Sequence, residues 1–243
     1  MSSEQLILFT ALALVAEILG TVGGFGSSLF FVPIAGYFLD FQSVLGITAL
    51  FHVSSNLIKI GLFRHGFDKK LIITLGIPSV AFVIIGAWIS RFMDPKVLQL
   101  SLGIFLVALS LVFLFFRSLQ LKPTTFNAFA GGASSGLIAG ALGTGGAIRG
   151  LVLAAYDMRK EAFIATSAAI DMAIDSSRSV VYTMNGYVHK HDLYLVPILF
   201  LVSLIGTFAG KKILGAVSEK QFRTFVLSLV LTTGIFALMK IYS

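Results

Sequence analysis

Residues 126–156 read FNAFAGGASSGLIAGALGTGGAIRGLVLAAY, and residues 6–39 read LILFTALALVAEILGTVGGFGSSLFFVPIAGYFL. Each stretch is apolar throughout and longer than the roughly 20 residues a helix needs to cross a bilayer. Each is also interrupted by glycine, at Gly20 to Gly26 and at Gly143 to Gly146. A helix broken at that point and turned back on itself accounts for both features, so each stretch reads as a hairpin of two short helices. Unpaired backbone N–H and C=O groups find no water in hydrocarbon, and such breaks survive where they line a protein-enclosed cavity.

The rest of the chain agrees with a membrane reading. Further apolar runs lie at about 43–63, 71–90, 97–116, 161–184, 193–210 and 224–239, each near the length of one span. The chain is 57% hydrophobic and only 12% charged, about half the charge of ordinary globular proteins. A single soluble core of 243 residues cannot hide that much apolar surface, which excludes a soluble enzyme, and disorder is excluded by the same composition. The net charge of +7 is spread in twos and threes between the apolar runs, as membrane-orienting charge rather than a nucleic-acid surface. There is no cysteine, hence no disulfide or thiolate chemistry, and no P-loop or dinucleotide fingerprint, so neither cofactor nor metal is expected. Glu4 and the lack of a basic residue before the first apolar run argue against a cleavable signal peptide.

The chain repeats itself at a spacing of roughly 120 residues. Leu19-Gly20-Thr21 with Gly23-Gly24 returns as Leu142-Gly143-Thr144-Gly145-Gly146, Gly66-Phe67 as Gly186-Tyr187, Pro78 as Pro197 and Gly86 as Gly206. Two units follow, 1–120 and 121–243, joined by the polar linker Arg117 to Thr125. Loop Lys and Arg decide how they face. If each broken stretch crosses the membrane once, the two sides carry 8 and 7 basic residues; if each turns back, they carry 11 and 4. The second arrangement satisfies the positive-inside rule. It puts the linker in the cytoplasm and both termini outside, gives each half a hairpin plus three spans, and makes the halves inverted repeats, a transporter architecture.

Polar residues inside the spans mark the candidate site. His52, Asn56 and Lys59 are spaced i, i+4, i+7, and Asp171, Asp175 and Arg178 have that spacing in the matching segment, so each trio forms one stripe on a helix face. Charges at such depth usually face a partner or a wet pathway. Helices restarting after Gly26 and Gly146 would aim free N–H groups and the positive end of the helix dipole inward, a known way of holding anions. The candidate anion-binding set is therefore Gly23, Gly24, Phe25, Gly26, Ser27, Asn56, Lys59, Gly143, Thr144, Gly145, Gly146, Arg149, Asp175 and Arg178, with Ser28 a further hydroxyl. Arg149, in the first turn of the restarted helix, needs an anion or a carboxylate beside it, and Glu17 is one choice of counter-charge. Candidates for proton coupling are Glu17, His52, Asp171 and Asp175. The alternatives are that the charges pair with one another as helix glue and that Lys59 snorkels to the interface. Gly132, Gly136 and Gly140 form a packing ridge. Gly132-Ala133-Ser134-Ser135-Gly136 fits G-x-S-x-G, but it lies inside an apolar helix rather than at a strand-to-helix turn, which argues against a serine hydrolase. His65, His189 and His191 are expected in loops, solvated and without metal-ligand spacing.

With the glycine breaks, Gly46-Ile47-Thr48-Ala49, Ala165-Thr166-Ser167, Phe63-Arg64-His65-Gly66 and Thr183-Met184-Asn185-Gly186, the sequence resembles the TauE/SafE family of sulfite and organosulfonate exporters, also called TSUP permeases, over nearly its whole length. The resemblance implies an all-α carrier in the bacterial inner membrane, built from two homologous halves, for small sulfur-containing or carboxylate anions. The family's glycine motif, G-x-G-G-G, is altered here: the first break reads Thr21-Val22-Gly23-Gly24-Phe25 and the second Gly143-Thr144-Gly145-Gly146-Ala147. Phe25 would narrow or shape the cavity. The expected function is a secondary transporter working by alternating access, its apolar outer surface permitting a homodimer. An anion channel and a non-transporting membrane scaffold are the other readings.

Overall fold

The computed structural model describes residues 1–64, 66–115 and 121–214, together with Leu231 and Ile235. The expected last span at 224–239 therefore lies outside the described residues apart from those two, as do His65, residues 117–120 of the linker and the loop cations Lys220, Arg223 and Lys240. All the regular elements described are helical: α1 (Ser3–Gly23), α2 (Ser28–Ala35), α3 (Phe41–Leu62), α4 (Lys69–Thr74), α5 (Gly76–Ser90), α6 (Pro95–Phe115), α7 (Thr125–Leu142), α8 (Gly146–Ala154), α9 (Lys160–Met184) and α10 (Leu195–Leu214), with one 3-10 turn at Lys190–Asp192.

Helix is the form in which a lone apolar segment satisfies its own backbone, and the ends are closed by local chemistry. Ser2 and Gln5 form a capping box at α1, while Asp40, Asp68 and Thr124 accept from the amides of Ser43, Leu71 and Asn127 at α3, α4 and α7. Five segments are long and apolar enough to cross a membrane: α1, α3, α4 with α5 (Lys69–Ser90), the first part of α6 (Pro95–Val112) and α10. Helix α9 has 25 residues, ample length, but its mean hydropathy is lowered by the charges at Asp171, Asp175 and Arg178, which turn inward.

The hairpins differ from the expected pair of short helices. Their first arms are long, 21 residues in α1 and 18 in α7, and only the return arms, α2 and α8, are short at 8 and 9 residues. At 1.5 Å per residue α1 is about 31 Å long, close to the full hydrocarbon thickness. The reason is the placement of the glycines, at the ends of these arms and not in their middles. Gly24 (φ 68°) ends α1 and Gly143 (φ 79°) ends α7, each in the left-handed conformation and each donating its N–H to a carbonyl four residues back, Gly20 and Ala139.

The packing order follows from the small residues. Gly206 meets Leu14 and Glu17, and Gly210 meets Thr21, so α10 runs parallel to α1. Gly132, Gly136 and Gly140 lie on Leu75, Ser79 and Val83, and Gly86 on Leu137, so α7 runs parallel to α5. The glycine ridge is thus a contact surface, as expected where close backbone approach replaces a hydrophobic driving force. At the centre α3 and α9 cross antiparallel: Gly46 abuts Tyr187, His52 meets Arg178 and Asn56 meets Asp175. Outward faces carry large apolar side chains, among them Ile77, Trp88, Ile104 and Phe208, while His52, Ser55, Asn56 and Lys59 of α3 and Ser167, Asp175 and Arg178 of α9 are buried.

Candidate functional site

Half way along α3 and α9 the two chain breaks meet. A Cβ on Gly146 would run into the backbone carbonyl of Phe25, and one on Gly150 into the Phe25 ring, so glycine at these positions lets the second break close onto the first. Around this contact lies a small chamber walled by Phe25, Gly26, Ser27, Ser28, His52, Ser55, Asn56, Lys59, Gly143, Gly145, Gly146, Arg149, Asp171, Asp175 and Arg178. Its space open to the centre of a water molecule is about 10 Å³, enough for one water and too little for a polyatomic anion unless side chains move. A second void of similar free space adjoins it, lined by Gly20, Thr21, Gly24 and Ser167 and sharing Gly26, Asn56, Lys59 and Asp171.

Of the residues expected at the site, most come together here. Gly23 and Thr144 do not line either void, and Gly24 lines only the second. The Thr144 hydroxyl is buried without a hydrogen-bond partner among the described residues. Phe25 contributes its main chain to the chamber and wedges its ring against α8 at Gly150.

Three ion pairs organise the charges. Glu17, fully buried on α1, takes Lys59 Nζ at 2.8 Å and accepts hydroxyls from Thr21, Ser27, Ser55 and Thr207. Of the roles open to Glu17, counter-charge to Arg149 is thus not the one it takes, and Lys59, 5% exposed and donating to Ser55 at 2.7 Å, does not snorkel. Arg149 instead offers both terminal nitrogens to the two oxygens of Asp171, a fork-to-fork arrangement, with its Nε held by Ser167 at 3.2 Å. Arg178 pairs with Asp175 at 2.7 Å, and Asp175 also accepts from Asn56 at 2.7 Å.

Arg178 has a second task. Its Nη1 donates to the carbonyls of Ala139 (3.2 Å) and Gly143 (2.8 Å), and Tyr182 donates to that of Gly140 (2.6 Å). The carbonyls of Gly140 and Gly143 are left without a backbone donor at the C-terminus of α7, that of Ala139 takes the Gly143 amide as well, and a cation here also meets the negative end of the dipole. Its Nε is buried and has no partner among the described residues. Since guanidinium only donates, the 3.4 Å contact from Arg178 Nη2 makes His52 Nδ1 an acceptor. The Nε2–H then faces Ser27 Oγ at 3.0 Å, and Ser27 donates to Glu17 at 2.6 Å. His52 is thus assigned as neutral, within a directed chain from Arg178 to Glu17.

Sequence reasoning missed Ser55, Ser167 and Thr207, because lone hydroxyl residues in a span carry no charge or spacing signal. Ser55 and Ser167 were traceable, one turn before Lys59 and Asp171 on the polar stripes of α3 and α9. His189 and His191 lie in the turn between α9 and α10 as expected, His191 exposed and His189 half-buried, but the turn at Lys190–Asp192 brings ligand-type atoms of His189, His191 and Asp192 within 4.8 Å of one another, with Ser43 Oγ 2.7 Å from both His189 Nδ1 and Asp192. That cluster ties the start of α3 to the α9–α10 turn.

No curated protein and no solved structure matches the chain. A family model does: the one described as sulfite exporter TauE/SafE matches residues 9–237 of the 243. With bilayer-length helices enclosing three buried cations beside two backbone breaks, the chain belongs to the TauE/SafE family of membrane transporters.

Proposed function

We propose that the chain is a secondary transporter that binds a small anion, a sulfonate or sulfite, in the central chamber and moves it across the bacterial inner membrane by alternating access. The observation that carries this reading is the convergence of Lys59, Arg149 and Arg178, each at most 5% exposed, on the point where the two chain breaks touch. Buried cations beside free helix N-termini form a setting that stabilises an oxyanion by charge-assisted hydrogen bonds, and Arg forks match sulfonate and carboxylate oxygens in pairs. The unpartnered Nε–H of Arg178 is one donor in want of an acceptor. Asn56, Ser27 and the amides of Gly145 and Gly146 complete the set. Carboxylates at Glu17, Asp171 and Asp175, with His52, are the groups available to couple a proton.

The architecture behind this reading is two inverted repeats, 1–120 and 121–243. It is supported by matched packing: α1 lies along α10 as α7 lies along α5, and α3 crosses α9 antiparallel on an axis between Asn56 and Asp175. Rocking of one half on the other would open the chamber to each side in turn. The linker then faces the cytoplasm and the termini the periplasm, and the apolar exterior leaves room for a homodimer. A closed chamber with space for a single water favours a carrier over an open anion channel.

Thermal stabilisation of purified protein by sulfonates, sulfite, sulfate, thiosulfate and carboxylates tests the reading, since a ligand bound only by the folded state raises apparent stability. At least one anion is expected to stabilise the wild type, and Arg149→Gln to abolish the effect. A scaffold with purely structural charges predicts no shift with any anion, and that result sinks the proposal.

A further inference from the structure

The six full charges of the chamber cancel: Glu17, Asp171 and Asp175 stand against Lys59, Arg149 and Arg178, with His52 neutral. A bound anion would leave this enclosure with one unbalanced negative charge. Low-dielectric sites resolve such an excess by neutralising a group rather than by tolerating the charge. The question is which group gives way.

The three carboxylates are not equally held. Glu17 accepts from five side chains and lies wholly buried among them. Asp175 is fixed by Asn56 and by Arg178 of its own helix. Asp171 has one partner among the described residues, Arg149, and its side chain, 14% exposed, is the least buried of the three. It also forms part of the wall common to both voids, so the neighbouring void is the space its side chain would turn toward on leaving the fork. What Asp171 presents to Arg149 is two oxygens on a planar anionic head, the same geometry a carboxylate or two oxygens of a sulfonate would present.

Resting on the reading of this chamber as an anion site, we propose that Asp171 is a tethered stand-in for the substrate: it fills the Arg149 fork while the chamber is empty and yields it, taking one proton, when the anion arrives. The exchange balances. The Arg149–carboxylate contacts break, two N–H···O contacts to the incoming anion form, and the proton, drawn from the water on the side from which the anion enters, ends on an Asp171 oxygen; release reverses each step. The charged and titratable groups that Asp171 then senses are Arg149 from α8, Lys59 from α3 with Glu17 of α1 behind it, Asp175 and Arg178 from α9 itself, and His52 of α3 beyond Asp175. The cations stay paired throughout, so chamber charge is the same empty and loaded. Anion and proton travel together.

The test uses full-length protein in detergent and methanesulfonate, an anion that carries no proton of its own. In weakly buffered solution the wild type is expected to take up one proton per methanesulfonate bound at pH 7 to 8, with affinity falling tenfold for each pH unit of increase. Asp171→Asn, which cannot take the proton and holds Arg149 less tightly, is expected to bind at least tenfold tighter at pH 8, with no pH slope and no proton uptake. A protonated-carboxyl infrared band should appear on anion addition in the wild type. Binding by the wild type without proton uptake overturns the proposal even if the variant does not fold. Equal pH slopes in wild type and Asp171→Asn overturn it too, by placing the proton elsewhere. If no anion of the wider panel binds the wild type at any pH, it is the anion site itself that fails.

Discussion

Glu17 and Lys59 allow the energetics of the buried charges to be measured without knowing the substrate. Glu17→Gln keeps the shape of the side chain and removes its charge, which leaves Lys59 5% exposed with its Nζ held by Ser55 and no carboxylate at 2.8 Å. Breaking a buried pair by removing one partner costs about 3–5 kcal/mol, whereas removing both with apolar replacements of similar size is often neutral or better. Glu17→Gln and Lys59→Met should therefore each destabilise by about 3–5 kcal/mol, and the double variant should return to within about 2 kcal/mol of wild type. The residual loss reflects the four hydroxyls, of Thr21, Ser27, Ser55 and Thr207, that exchange a charged acceptor for an amide. Denaturant unfolding in a fixed detergent, read by circular dichroism, gives all four corners of the cycle. A cost below about 1 kcal/mol for Glu17→Gln, or a double variant as poor as the sum of the singles, would refute the pairing and the burial on which it rests.

Three more outcomes follow from the contacts. Gly146→Ala places a methyl group against the Phe25 carbonyl, backbone that cannot swing aside, and should cost about 1–3 kcal/mol in the same unfolding assay while weakening anion stabilisation. Thr144→Val removes a buried hydroxyl that has no partner, so stability should hold or rise by about 1 kcal/mol and anion binding should be unaltered, as read by thermal shift. Phe25→Ala frees the space on Gly150; it should lower stability by about 1–3 kcal/mol and extend binding toward bulkier sulfonates, with a profile over an alkylsulfonate series as the check.

The fold was open to sequence reading because its strongest constraints are local. Apolar runs must be helices in hydrocarbon, and glycine clusters mark where those helices stop. The i, i+4, i+7 stripes on α3 and α9 likewise named the polar face before any tertiary contact was known. Pairing was another matter. Arg149 lies nearer in sequence to Asp171 than to Glu17, yet nothing in the spacing says which carboxylate reaches it, since the answer depends on how α8 leans on α9 and α1 on α3. Arg178 illustrates the same limit. Its stripe marked it as a ligand, whereas two of its contacts cap α7, a demand created only when the second break opens those carbonyls toward α9. Arm length was less legible for a simpler reason: the glycines mark where α1 and α7 stop, at Gly24 and Gly143, but nothing in an apolar run sets how long each arm is.

The partners in the three ion pairs have a bearing on how the protein is made. Lys59 and Glu17 both belong to the first 62 residues, and Arg149, Asp171, Asp175 and Arg178 all lie between Gly146 and Met184. Each cation thus finds its counter-ion in chain synthesised close to it, and neither set has to wait for the other before entering lipid. Insertion of α1 with α3, and of α8 with α9, then closes the pairs within each set, so no charge has to wait in the hydrocarbon for the other set. What is left for the final assembly step is the packing of α1 on α10, α5 on α7 and α3 on α9, with polar contacts such as Asn56 to Asp175, His52 to Arg178 and Thr207 to Glu17 that join the two sets without bringing a further charge.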